Sequence, residues 1–111
     1  MDLDSLTLGQ VKQLRDFTIP PEKSHGPYVI GEKYLIRTIT MIYTGRLTAV
    51  YDQELVIEDA AWIPETDRWE QTCKEGKLKE VEPYAYGEVI IGRGAILDVS
   101  KWTKELPREQ K

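Results

Sequence analysis

The chain has 111 residues, and 15 lysines and arginines against 19 aspartates and glutamates give it a formal charge of −4. This length, with 41% hydrophobic residues, predicts one small soluble domain over residues 1–111 and leaves no room for two independent cores. An acidic chain lacks the overall basic footprint of many nucleic-acid-binding proteins, so any such binding must be local.

The sequence has few cysteine and histidine residues that could bind a metal or form a disulfide, and no long apolar run that could span a membrane. Cys73 is the single cysteine and His25 the single histidine, so we expect no intrachain disulfide, no metal site and no cofactor. No apolar run approaches the ~18 residues of a membrane span, and the acidic start lacks the basic flank of a secretion signal. We therefore expect a cytoplasmic protein without a membrane partner.

The first predicted element is a helix within residues 1–17. Thr7 and Gln10 form the pattern of a capping box. Apolar residues then recur at helical spacing, at Leu8, Val11 and Leu14. We expect this helix to end by Phe17.

A linker follows over residues 18–33. Residues 18–27 contain three prolines, which disfavour a helix and remove backbone donors. His25 lies in this linker without an acidic or thiol neighbour to tune its imidazole, which favours a solvated loop residue over a catalytic one.

Residues 34–60 are rich in β-branched and aromatic residues and predict a three-stranded antiparallel meander. The first strand is expected over residues 34–43, with Gly45 in the turn that follows. The second and third are expected over 47–50 and 55–57, joined by the polar turn Tyr51-Asp52-Gln53-Glu54.

Residues 61–86 are too long for a hairpin loop and are expected to hold structure of their own. Thr66 is predicted to cap a short helix over residues 67–74, with Gly76 ending it. Trp62 and Trp69 are expected to cover the sheet or to contact a partner.

The segment 87–103 predicts two further strands, 89–91 and 95–99, separated by Gly92-Arg93-Gly94. Five short strands favour a small barrel. The charged tail, residues 104–111, is predicted to fray.

Two segments together resemble the two halves of the Sm motif: YTGRLTAVYDQELVIEDA, residues 43–60, and GEVIIGRGAILDV, residues 87–99. The first half matches at a glycine, a leucine, an apolar position, an acidic turn, an apolar strand and a final Asp-Ala; these are Gly45, Leu47, Val50, Asp52, residues 55–57 and Asp59-Ala60. The second half matches in an apolar strand, Arg93-Gly94 and another apolar strand. The small size and long insert also resemble Sm-like proteins carried by bacteriophages.

The resemblance implies an all-β fold: a strongly bent five-stranded antiparallel barrel of the Sm-like, SH3 type, with an N-terminal helix and an insert between strands three and four. It also implies a homo-oligomeric ring of about five to seven subunits, closed by pairing of the last two strands across subunits. The implied function is binding of single-stranded U- or A-rich RNA, as an RNA chaperone or RNA-processing accessory, in a bacterium or a phage-infected host.

The resemblance further implies an RNA site built from Tyr51, Asp52, Gln53, Arg93 and Gly94. Tyr51 would stack on a base, Gln53 would bind its edge, and the Arg93-Gly94 turn would close the pocket. The sequence departs from the family pattern because the first turn is shorter and lacks an asparagine. Glu54 would repel phosphate, and the additional Gly92 shifts the second turn.

The same residues admit simpler interpretations. Gly92 and Gly94 would permit a tight turn, Arg93 would pair with an acidic neighbour, and Asp52 would only close a turn. The alternative function is a structural or protein-docking ring, for example in phage assembly, with its contact surface around Trp62 and Trp69. We expect no enzymatic activity, because alternation would place the carboxylates of Glu58 and Asp59 on opposite faces of one strand.

Overall fold

The computed structural model describes residues 26–111. The predicted helix over residues 1–17, and residues 18–25 of the linker with His25, lie outside the described residues. The described elements are β1 (Lys33–Thr38), β2 (Ile42–Val50), β3 (Glu54–Thr66), α1 (Trp69–Glu75), β4 (Leu78–Pro83), β5 (Val89–Gly92), a 3₁₀ turn (Arg93–Ala95) and β6 (Ile96–Lys101).

The strands form one antiparallel sheet in the order β4-β3-β2-β1-β6, and β5 pairs with β3 outside this path. The expected all-β class is confirmed in that the described residues are mostly β, with six strands in place of five and one short helix. Within residues 26–111, no helix has the length and apolar character needed to cross a membrane.

Besides β2, the long strand β3 pairs with two different strands along its length. Glu54–Ile57 pairs with β5, whereas residues 61–66 pair with β4. Between the two parts, Asp59 adopts a positive φ of 50°, which turns the strand. The prediction that the third strand ends at Glu58–Asp59 was wrong, because the chain turns there and continues pairing to Thr66. The side chains of Glu58 and Asp59 both lie exposed at this turn.

The boundary between the first two strands also differs from the prediction. β1 ends at Thr38, whose N–H donates to the carbonyl oxygen of Met41 at 2.8 Å and whose Oγ1 accepts the Met41 N–H at 2.9 Å. The apolar residues 34–43 are thus divided by a turn that no glycine or proline marks.

Gly45 lies inside β2 and not in a turn. A Cβ at this position would lie 2.7 Å from Ile57 Cδ1 and 3.2 Å from the carbonyl oxygen of Glu58. The glycine therefore permits the close approach of β2 and β3.

The sheet has a hydrophobic core on each face, because successive residues of a strand point to opposite sides. In β1, Ile36 contributes to the first core and Leu35 to the second. The first core contains Tyr34, Ile36, Leu47, Leu55, Ile57, Ala60 and Ile91. The second contains Leu35, Ala61, Ile63, Leu78, Val81, Trp102 and Leu106.

The segment 61–86 builds much of the second core. It consists of the end of β3, the helix α1 and the strand β4. Gly76 ends α1 in the left-handed conformation, as predicted. The prediction that Thr66 caps this helix was wrong: Arg68 occupies the cap position without a side-chain bond.

The tail is packed, and the prediction that it frays was wrong. Leu106 is buried in the second core. Lys111 and Val81 exchange two backbone hydrogen bonds of 2.9 and 3.0 Å, and Arg108 lies 2.9 Å from the Asp59 carboxylate. Burial of Leu106 and pairing along β4 hold the tail despite its charge.

Candidate nucleic-acid interface

The fold brings together the two turns that carry the sequence-predicted site. Glu54 at the start of β3 lies opposite Gly92 at the end of β5, so the turns next to these residues become neighbours. The Arg93 N–H donates to the carbonyl oxygen of Gln53 at 2.8 Å. The Arg93 Nη1 donates to the carbonyl oxygen of Tyr51, also at 2.8 Å. Residues separated by about forty positions thus form one surface.

The turn over residues 51–53 leaves its side chains accessible. Its backbone is closed by a 2.8 Å hydrogen bond from the Tyr51 N–H to the Glu54 carbonyl oxygen. The Tyr51 ring is 58% exposed, and Asp52 and Gln53 are exposed as well. Because the backbone closes the turn, these side chains remain available to a ligand.

Arg93 is held by carbonyl oxygens and not by a carboxylate. Among residues 26–111, no ion pair includes Arg93, so the interpretation that it pairs with an acidic neighbour finds no support. Gly92 and Gly94 have φ values open to other residues, and a Cβ added to either would meet no atom of residues 26–111 within 4 Å. Neither glycine is required by the turn.

Tyr28 belongs to the same surface, although it is not among the residues predicted from the sequence. The guanidinium carbon of Arg93 lies 5.5 Å from the centroid of the Tyr28 ring. Tyr28 also packs edge to face on the buried Tyr34, with centroids 6.0 Å apart. No local signal identifies Tyr28, since 65 positions separate it from Arg93 and it follows a proline in the linker.

A cleft of about 510 Å³ lies beside Arg93. It is lined by Pro27 and Tyr28 before β1, and by residues 96–99 and Lys101 of β6. Its lining combines apolar side chains with the charges of Arg93, Asp98 and Lys101.

Asp98 is already neutralised by Arg37. The Arg37 Nε donates to Asp98 Oδ1 at 2.7 Å, and Nη2 binds Oδ2. These hydrogen bonds lower the pKa of Asp98 below its ordinary value. The Arg37 guanidinium also lies 4.2 Å from the centroid of the Trp69 ring. The remaining lining charges of the cleft, Arg93 and Lys101, are both positive.

A second exposed surface is aromatic. Tyr43 stacks on Tyr84 with ring centroids 6.5 Å apart, and Trp62 lies opposite Tyr43 in the sheet. Burial is the main cause that raises the pKa of Tyr43 above its ordinary value, and the neighbouring Tyr84 raises it further. Tyr86 follows Tyr84 by two residues and is 91% exposed. We name Tyr43, Trp62, Tyr84 and Tyr86 the aromatic surface; Trp69 lies apart from it, on α1.

Across the part of the chain from Gly26 onward, no group of three or more His, Cys, Asp or Glu side chains is arranged to hold a metal ion. No protein-family model matches the sequence, and no curated protein matches it significantly.

Proposed function

We propose that this protein is an Sm-like, ring-forming protein that binds single-stranded RNA at the turns around Tyr51–Gln53 and Arg93. The observation that carries this proposal is the pair of hydrogen bonds from Arg93 to the carbonyl oxygens of Gln53 and Tyr51. They join an exposed aromatic ring, an amide and a guanidinium in one surface. This combination suits a stacked base, its polar edge and a phosphate.

Each side chain has a separate task in the proposed site. Tyr51 stacks on a base through its exposed ring, and the Gln53 amide offers both a donor and an acceptor to the base edge. Arg93 has five N–H donors, of which Nη1 is bound to Tyr51, so its remaining donors and its charge face a phosphate.

Two free strand edges support the proposed ring. In the described sheet, β5 pairs only with β3 and β6 pairs only with β1. Ile90 on β5 and Leu97 on β6 are 69% and 68% exposed. Pairing of β5 in one protomer with β6 in the next would satisfy both edges and bury both side chains. Repeated sites around the ring then share one RNA strand, which raises the effective concentration at each.

Native mass spectrometry with and without a short oligouridine tests the ring and the binding together. We expect about five to seven subunits and one bound strand per ring. Fluorescence anisotropy with labelled oligouridine and oligoadenine then measures affinity. Absence of binding at tens of micromolar protein in low salt, with intact rings, would contradict the RNA-binding function.

Two substitutions distinguish the contribution of the Arg93 charge to RNA binding from that of the base contact made by Gln53. Arg93→Ala should weaken binding and lower its salt dependence by about one unit of slope, whereas Gln53→Ala should weaken it with little change in slope. Arg68→Ala, at an exposed position before α1, is the matched control and should bind as the wild type.

A protein-docking ring is the second candidate, and the aromatic surface favours it. Trp62, Tyr84 and Tyr86 are exposed together, and aromatic residues are enriched in protein interfaces. Asp52 also places a carboxylate within the proposed RNA site, and Glu54 places another beside it. Intact rings that bind neither oligonucleotide would favour this function.

A further inference from the structure

The cleft beside Arg93 has a lining that suits a ligand, and the proposed contacts of residues 51–53 do not use it. Its lining combines the aromatic ring of Tyr28, apolar side chains and two cations, in a chain whose formal charge is −4. We propose that this cleft binds one further nucleotide of the RNA strand, with its base against Tyr28 and its phosphate at Lys101. This inference rests on the proposed RNA-binding function and extends it to a second subsite.

The base position follows from the apolar residues of the cleft. Tyr28 is half-buried and is braced edge to face against Tyr34. The Tyr34 hydroxyl accepts the Val29 N–H at 3.0 Å, which fixes the backbone next to Tyr28. A ring braced in this way loses little conformational freedom when a base stacks on it, and Ile96 and Val99 offer apolar contacts nearby.

The phosphate position follows from the charges. Arg37 neutralises Asp98, the carboxylate of the cleft, through two hydrogen bonds. Lys101 and Arg93 then leave the cleft with an excess of positive charge. An anion is the ligand that this charge favours, and a nucleotide matches both the cations and the aromatic ring.

Arg93 connects the two subsites. Its Nη1 donates to the carbonyl oxygen of Tyr51, and its guanidinium carbon lies 5.5 Å from the centroid of the Tyr28 ring. One strand can therefore pass from the turn over residues 51–53 to the cleft while remaining next to the same guanidinium. In this arrangement the cleft is a second subsite, in which Tyr28 stacks on the base and Lys101 binds the phosphate.

Ultraviolet crosslinking of the full chain to oligouridine, followed by peptide mass spectrometry, locates the contacted residues. We expect a crosslinked peptide that contains Tyr28 in addition to one that contains Tyr51. Anisotropy should show at least about fivefold weaker binding for Tyr28→Leu, which removes stacking, and retained binding for Tyr28→Trp. Lys101→Ala should weaken binding and lower the salt slope by about one.

The controls are Tyr86→Leu and Lys79→Ala, which remove an exposed tyrosine and an exposed lysine elsewhere. Both should bind as the wild type, and native mass spectrometry should show the same oligomer for every variant. The subsite would be wrong if Tyr28→Leu and Lys101→Ala bind RNA as tightly as the wild type and no crosslink forms at Tyr28. That result would leave the proposed RNA-binding function intact. A wild-type protein that binds no RNA would overturn both.

Discussion

At the scale of single residues, Gly45 shows how a packing requirement can look like a turn signal. Its hydrogen faces Ile57 across the sheet, so the position excludes a side chain although its φ is ordinary. A glycine in an apolar sequence is compatible with either role. The distance to the facing strand, which the local sequence does not contain, decides between them.

Gly45→Ala should destabilise the protein by roughly 1–3 kcal/mol, because the new methyl group must displace Ile57 and the backbone at Glu58. Urea unfolding followed by tryptophan fluorescence measures this difference. Gly92→Ala is the control, since its new methyl group would meet no atom of the described residues within 4 Å, and it should change stability by less than about 0.5 kcal/mol. Equal stability of the two variants would contradict the close approach.

Asp98 should give the protein a small stability term that depends on pH. Its hydrogen bonds with Arg37 lower its pKa in the folded state, so this term is present above the ordinary value of 3.8 and is lost as pH falls through the lowered pKa. The carboxylate is 48% exposed, and solvent screening limits the term to less than about 1 kcal/mol.

Asp98→Asn should therefore be less stable than the wild type at pH 7, and this difference should shrink toward pH 2. Urea unfolding at both pH values measures it. Glu80→Gln, at an exposed position of β4, controls for the loss of one negative charge. A difference between Asp98→Asn and the wild type that stays constant with pH would show that the pair adds no such term.

Glu54 should limit RNA affinity at the proposed site. Its carboxylate follows the turn that holds Tyr51 and Gln53, where it repels phosphate. Glu54→Gln should strengthen oligouridine binding a few-fold at low salt and less at high salt, because salt screens this repulsion. Anisotropy at two salt concentrations checks it, with Glu80→Gln as the matched control. Weaker binding would instead assign the carboxylate a contact with the base.

At the scale of elements, the tail and the segment 61–86 form one unit around the second core. Leu106 from the tail meets Leu78 and Val81 from β4, with Trp102 beside them. The backbone hydrogen bonds between Val81 and Lys111 cover the outer edge of β4. The insert is therefore part of the hydrophobic core and not a separate excursion.

Leu106→Ala should destabilise the protein by about 2–4 kcal/mol, because it removes a buried side chain from the second core. Thermal unfolding measures the loss, and amide hydrogen exchange should increase first in β4. Ile39→Ala, at a position that is 70% exposed, should change stability little. Wild-type stability of Leu106→Ala would mean that the tail does not support the core.

At the scale of the whole molecule, the proposed assembly depends on the edges of β5 and β6 that no other described strand pairs. Ile90→Lys and Leu97→Lys each place a charge on an edge and should convert rings to monomers. Analytical ultracentrifugation measures the outcome. Ile39→Lys is the control, since Ile39 is equally exposed but lies in the turn between β1 and β2. Rings that persist in both edge variants would require another interface.

The sequence determined the β class, the turn over residues 51–53, the last two strands and the helix stop at Gly76, because these depend on local patterns of apolar residues, glycine and polar turn residues. The N-terminal helix, the Sm-like identity, RNA binding and the ring remain predictions.

Only the tertiary structure decided the course of β3 beyond Asp59, the role of Gly45, the packed tail and the position of Tyr28 beside Arg93. Each depends on a contact between residues far apart in the chain. Arg108 meets Asp59 across 49 positions, and Tyr28 meets Arg93 across 65. Such contacts arise when strands pair and cores close, and their partners cannot be identified from either segment alone.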